Sequence, residues 1–115
     1  MKKDNIMREG SFEFALKIIE LYRQMIEQKE FVLSKQILRS GTSIGANIEV
    51  ASAGYSKKDY AAKISTASKE ARETRYWLRS IDKSQIAKAN VKKYLDEIEP
   101  GVNILTAIVK SPQAN

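Results

Sequence analysis

The chain has 115 residues, is 43% hydrophobic, carries a formal net charge of +6 and contains neither cysteine nor histidine. That length suits one domain burying about two thirds of its unfolded surface, while the missing residue types exclude disulfides, thiolate chemistry and Glu-x-x-His metal bundles. No apolar run approaches the ~20 residues of a membrane span, and Met1 to Asn5 lead into no signal-like segment, so a cytoplasmic chain without cofactor or metal is expected.

Five glycines and two prolines are few for this length. Apolar residues recur at spacings of three and four, which predicts an all-α chain of four helices. The first helix is expected near Ser11, a residue suited to an N-cap, with Phe12, Ala15, Ile18, Ile19, Tyr22, Met25 and Ile26 facing inward. Residues 1–10 are then an N-terminal tail, and Gln28 to Phe31 a short connection.

A second helix from about Leu33 places Ile37, Gly41, Ile44, Ile48 and Ala51 at alternating spacings of four and three, the seam of a bundle. Gly54-Tyr55 is expected to end it. Gln36, Ser40, Ser43 and Asn47 follow the same alternation and form a polar stripe beside that seam. Such a stripe is either a hydrogen-bonded network that fixes helix register or a contact for a ligand or partner, and Gly41 and Gly45 permit close helix approach.

Ser56-Lys57-Lys58-Asp59 resembles a capping box, and Tyr60, Ile64, Ala67, Ala71, Thr74, Leu78 and Ile81 continue one heptad through a third helix. At 100° per residue, Lys58, Lys69, Arg72, Tyr76 and Arg79 share the opposite, outward face. Basic side chains around an aromatic suit phosphates and a stacked base. The same face also suits a solvated surface or a contact between subunits. Trp77 falls on the flank of the core and is expected to pack there. Glu70 and Glu73 are accounted for by ion pairing with Lys69, Arg72 and Arg75 along the helix.

Asp82 or Ser84 could cap a fourth helix with Val91, Tyr94, Leu95, Ile98, Val102, Leu105 and Ile108 inward. Pro100 and Gly101 predict a kink or short break in it. The result is an antiparallel up-down-up-down four-helix bundle with left-handed packing over residues 11–110, followed by a disordered tail at 111–115. Residues 1–32 hold six basic and six acidic side chains, whereas 56–81 hold seven basic against three acidic, so the positive excess lies mainly in the third segment.

The run from Leu33 to Glu49, LSKQILRSGTSIGANIE, resembles the signature of the four helix bundle protein family, also called the rRNA intervening-sequence protein family. Ser56 to Tyr60 and Ser68 to Arg79 resemble its second block, and Asn5 to Tyr22 is similar to its first helix. The resemblance implies a four-helix bundle assembling as a ring-like homopentamer, with no established activity. Accessory proteins of diversity-generating retroelements are similar in fold, and there basic pentamers bind a reverse transcriptase and nucleic acid. The chain departs from the pattern at Glu49-Val50-Ala51, where many members read Ala-Glu-Gly, which moves the acidic side chain by one position. The expectation is therefore a non-enzymatic homo-oligomer whose basic surface binds RNA or DNA weakly. The alternative is an adaptor that binds a partner protein and no nucleic acid.

Overall fold

The computed structural model describes residues 2–53 and 56–111, the side chains of 2–4 excepted. Four α-helices, α1 (Lys2–Glu27), α2 (Leu33–Ser52), α3 (Lys57–Ser84) and α4 (Lys92–Lys110), account for nearly all of them. Consecutive helices are packed neighbours, α1 and α4 close the bundle with only light contact, and the molecule measures 44 × 22 × 21 Å. The long dimension matches the ~39 Å expected of a 26-residue helix. Among the described residues no helix is long and apolar enough to cross a membrane. The expected helix stop at Gly54-Tyr55 and the tail from Pro112 onward lie outside the described residues.

The core is a set of alternating three- and four-residue seams. Ile18, Leu21 and Met25 of α1 meet Ile37, Ile44 and Ile48 of α2, Ile64, Ala67, Ala71 and Leu78 of α3, and Tyr94, Ile98, Val102 and Leu105 of α4. The inward residues predicted for α2, α3 and α4 occupy this core or pack against it. Close approach of α1 and α2 depends on two glycines: a Cβ on Gly41 would stand 2.7 Å from Ile18 Cγ2, and one on Gly45 would stand 3.2 Å from the Ser11 carbonyl oxygen. A side chain at Gly41 would force Ile18 to shift, whereas one at Gly45 would need the Ser11 backbone to give by a few tenths of an ångström.

Three boundaries differ from the sequence reading. The α1 helix begins at Lys2, not near Ser11, so residues 2–10 are helical and not a tail. Ser11 does not cap: its hydroxyl donates back to the Arg8 carbonyl at 3.2 Å, a bond compatible with an uninterrupted helix, and Met7 adds an earlier turn to the core seam. Asp82 and Ser84 do not start α4, because α3 runs through Ser84 and ends on Gln85 in the left-handed conformation, φ 54°. The α4 helix begins at Lys92, with no side-chain cap on Val91. Pro100 lies inside α4 without breaking it. Residues 96 and 100 are both exposed, so the carbonyl that loses its donor faces solvent.

Ser56 caps α3 as read, its Oγ accepting from the Asp59 N–H at 3.1 Å. The start of α2 uses a device that the sequence reading missed. Lys29, two residues past the end of α1, takes φ 63°, and the next residue, Glu30, places its carboxylate over the first turn of α2. It accepts from the backbone N–H groups of Val32 (3.1 Å), Leu33 (2.9 Å) and Ser34 (2.7 Å). These are donors that a helix start leaves without intrahelical partners, and the anion also suits the positive end of the helix.

Candidate nucleic-acid and assembly surfaces

Three surfaces leave the bundle unpartnered, and each follows from which helix flank is spent on the core. On α3 the seam that buries Ile64, Ala71 and Leu78 turns Lys58, Lys69, Arg72, Tyr76 and Arg79 outward, and all five are exposed. Tyr76 stands 61% exposed, its ring edge-on to Trp77 with centroids 5.1 Å apart. Arg72 donates to Thr106 Oγ1 of α4 at 2.7 Å, while Lys58, Lys69 and Arg79 enter no ion pair among the described residues. The structure thus brings the five predicted residues onto one face.

The carboxylates of α3 are absent from that face for a structural reason. Glu70 and Glu73 turn toward α2, where both accept from Arg39, Glu70 at 3.2 Å. They do not pair along α3 with Lys69, Arg72 and Arg75 as the spacing suggested; Arg75 instead reaches Glu99 of α4 at 3.1 Å. Trp77 packs against the core and donates its Nε1–H to Glu73 at 3.1 Å.

The polar stripe of α2 lies along the seam with α3. Ser40 is fully buried and its hydroxyl lies 2.9 Å from that of Thr74, so one member of the stripe ties two helices together. Ser43 donates to the Arg39 carbonyl at 2.6 Å and Asn47 to the Ser43 carbonyl at 2.8 Å. Gln36 is half-buried on the same flank. These bonds satisfy most of the stripe locally and do not form a continuous network between helices.

The second surface is apolar. Phe12, Ala15 and Ile19 were read as core, yet Phe12 is 63% and Ile19 38% exposed, and Ala15 is half-buried. The cause is a double seam on α1: positions 7, 11, 14, 18, 21 and 25 face the bundle, and positions 8, 12, 15, 19, 22 and 26 repeat the same spacing 100° away. With Leu16, 52% exposed, the second seam walls a shallow groove of about 630 Å³ whose floor is Thr42, Gly45 and Ala46 of α2. Glu49, the displaced acidic residue of the signature, sits at its end, 3.7 Å from Arg8.

The third surface is the end of the bundle where the α1–α2 and α3–α4 connections lie side by side. Gln28 ties them through two bonds of 2.7 Å, to the Lys88 carbonyl and from the Lys88 N–H. Lys29, Lys35, Lys83, Lys88 and Lys92 are all exposed there and enter no ion pair among the described residues. Glu30, the residue after Lys29, is engaged in the α2 cap, while Glu27 and Asp82 lie in the adjoining last turns of α1 and α3. The sequence does not show these lysines as a group because they are scattered across five segments and meet only in the folded chain.

No group of three or more His, Cys, Asp or Glu among the described residues could hold a metal ion. The family model described as 23S rRNA-intervening sequence protein matches residues 3–107. The chain belongs to this family. A crystal structure of a protein of unknown function from the S23 ribosomal protein family, from Bacteroides thetaiotaomicron, is similar over nearly the whole length. It shares 43% sequence identity and a TM-score of 0.87, covering 95% of this chain and 99% of that one. No curated protein matches. The family assignment therefore carries the fold and leaves the biochemical role to be argued from the surfaces.

Proposed function

We propose that this protein is a non-enzymatic, cytoplasmic, self-associating helical scaffold, a homopentamer by the family resemblance, that holds RNA through pooled basic surfaces. The observation that carries this reading is the loop end: five exposed lysines without ion-pair partners among the described residues lie there, and Glu30, beside Lys29, is turned inward to cap a helix. Such lysines attract phosphate without reading sequence. Cyclic symmetry would set the same end of every subunit on one rim, so the lysines of all copies would act together on a single strand.

The test is binding of a labelled single-stranded RNA as a function of salt, for the native protein and for Lys29→Glu/Lys35→Glu/Lys88→Glu. Single-strand binding loses about 0.7 in log-log slope for each phosphate contact removed. The triple variant is expected to bind at least tenfold more weakly at low salt, with a visibly shallower slope. Equal binding by both proteins, or binding indifferent to salt, rejects the loop-end lysines as a phosphate contact. Absence of RNA binding at every salt concentration would favour the adaptor reading, for which the apolar groove on α1 and α2 is the supporting feature.

A further inference from the structure

The groove on α1 and α2 and the basic ridge on α3 are opposite in charge as well as in position. Beyond the apolar stripe of Phe12, Leu16 and Ile19, the next strip of α1 surface carries Glu9, Glu13 and Glu20, all exposed. Glu9, Glu49 and Arg8 line the groove itself; Arg8 pairs with Glu49 at 3.7 Å and Arg23 with Glu20 at 3.8 Å, which leaves Glu9 and Glu13 as the carboxylates of this face without an ion pair among the described residues. Across the bundle, α3 lies diagonal to α1, with no close approach of the two backbones, and presents Tyr76 between Lys69, Arg72 and Arg79. One diagonal corner of the molecule is thus an apolar hollow beside carboxylates, and the other an exposed aromatic among cations.

We infer that the occupant of the groove is the α3 ridge of a second copy of this chain, with Tyr76 entering between Phe12, Leu16 and Ile19 and the flanking cations facing Glu9, Glu13 and Glu20. Charge selects this pairing. Setting two α1 corners together opposes carboxylate to carboxylate, and setting two α3 corners together opposes cation to cation, which disfavours both symmetric contacts. The pairing of α1 with α3 is heterologous, and a heterologous contact either closes into a ring or continues as a filament. This inference rests on the self-association proposed above and assigns its two faces. It leaves the lysines of the loop end outside the contact.

A heterologous contact has a signature that a symmetric one cannot give. Leu16→Arg places a cation where the basic ridge must dock, and Tyr76→Ser/Arg79→Ser removes the aromatic and one cation from the ridge. Both variants alter exposed residues, and circular dichroism verifies the helices. Phe12→Arg serves as a second groove variant if Leu16→Arg loses them. By light scattering each variant alone should have the 13.0 kDa mass of the single chain. Mixed in equal amounts they should give twice that mass and no more, because the intact ridge of the groove variant fits the intact groove of the ridge variant and nothing remains to extend the pair. A mixture that stays monomeric while the native protein is an oligomer overturns the assigned faces, as do variants that keep the native mass. A monomeric native protein overturns self-association itself, which the RNA titration reads separately.

Discussion

Gly41 and Gly10 provide the sharpest test of how α1 and α2 are held together, because the same substitution should act with opposite sign at the two positions. Both lie within helices, where glycine costs about 0.8–1 kcal/mol relative to alanine. At Gly10 an added methyl meets nothing within 4 Å, so Gly10→Ala should stabilise by about that amount. At Gly41 the methyl would stand 2.7 and 2.9 Å from the two γ carbons of Ile18, a side chain with no exposed surface and no room to turn aside. Overpacking of this kind costs about 1–3 kcal/mol, which exceeds the helix gain and leaves Gly41→Ala neutral to destabilising by roughly 2 kcal/mol. In urea, with a slope of about 1–3 kcal/mol/M for a chain of this size, the midpoints of the two variants should separate by roughly 1 M. All samples are compared at one protein concentration, since assembly would shift the midpoint by mass action. In an Ile18→Ala background the γ carbons are gone, and Gly41→Ala should become stabilising there, a coupling that only direct contact produces. If Gly41→Ala raises the midpoint as far as Gly10→Ala does, the helices do not pack through Gly41 and the reasoning fails.

Three further outcomes follow from single residues. Glu30→Ala leaves three N–H groups of α2 without their carboxylate and should cost about 1–2 kcal/mol in urea unfolding, with Glu30→Gln costing less; equal stability of all three proteins would show that the cap contributes nothing. The Ser34 hydroxyl is buried without a hydrogen-bond partner among the described residues, so Ser34→Ala should be neutral or stabilising by up to ~1 kcal/mol, and a clear loss of stability would mean that the hydroxyl is satisfied. Tyr94 is buried, and burial, followed by the charges of Glu20 and Glu97, holds its phenol above the ordinary value. The unfolded chain then releases this proton first, so the contribution is complete below about pH 10 and is lost as pH rises through the folded value; Tyr94→Phe should lose less stability than the native protein as pH rises above about 10, and parallel losses would contradict the assignment.

The sequence made α3 legible because cap, heptad and outward charge all agree there, from Ser56 to Ile81. It misplaced the inner face of α1 because two seams of identical spacing run side by side, and spacing alone does not say which of Ile18 and Ile19 is buried. The packed neighbour decides: Ile18 fills the space left by Gly41, and Ile19 is turned out. The start of α1 was obscured by Ser11, whose hydroxyl bonds backward within the helix, and the cap of α2 was missed because Glu30 acts from beyond the usual N-cap position. The loop-end lysines were invisible as a group because residues 29, 35, 83, 88 and 92 become neighbours only through the antiparallel return of the chain. The five outward residues of α3, by contrast, follow from one helix and one angle, which is why a single sequence suffices to find them.

The central claim is an assembly that gathers phosphate, and the most direct measurement is the light-scattering mass of the native protein with and without a labelled single-stranded RNA, at low and at high salt. The account predicts an oligomer in the absence of RNA, a heavier complex at low salt, and loss of the RNA but not of the oligomer at high salt. A single chain of 13.0 kDa in the absence of RNA, or an oligomer whose mass ignores RNA at every salt concentration, would contradict it.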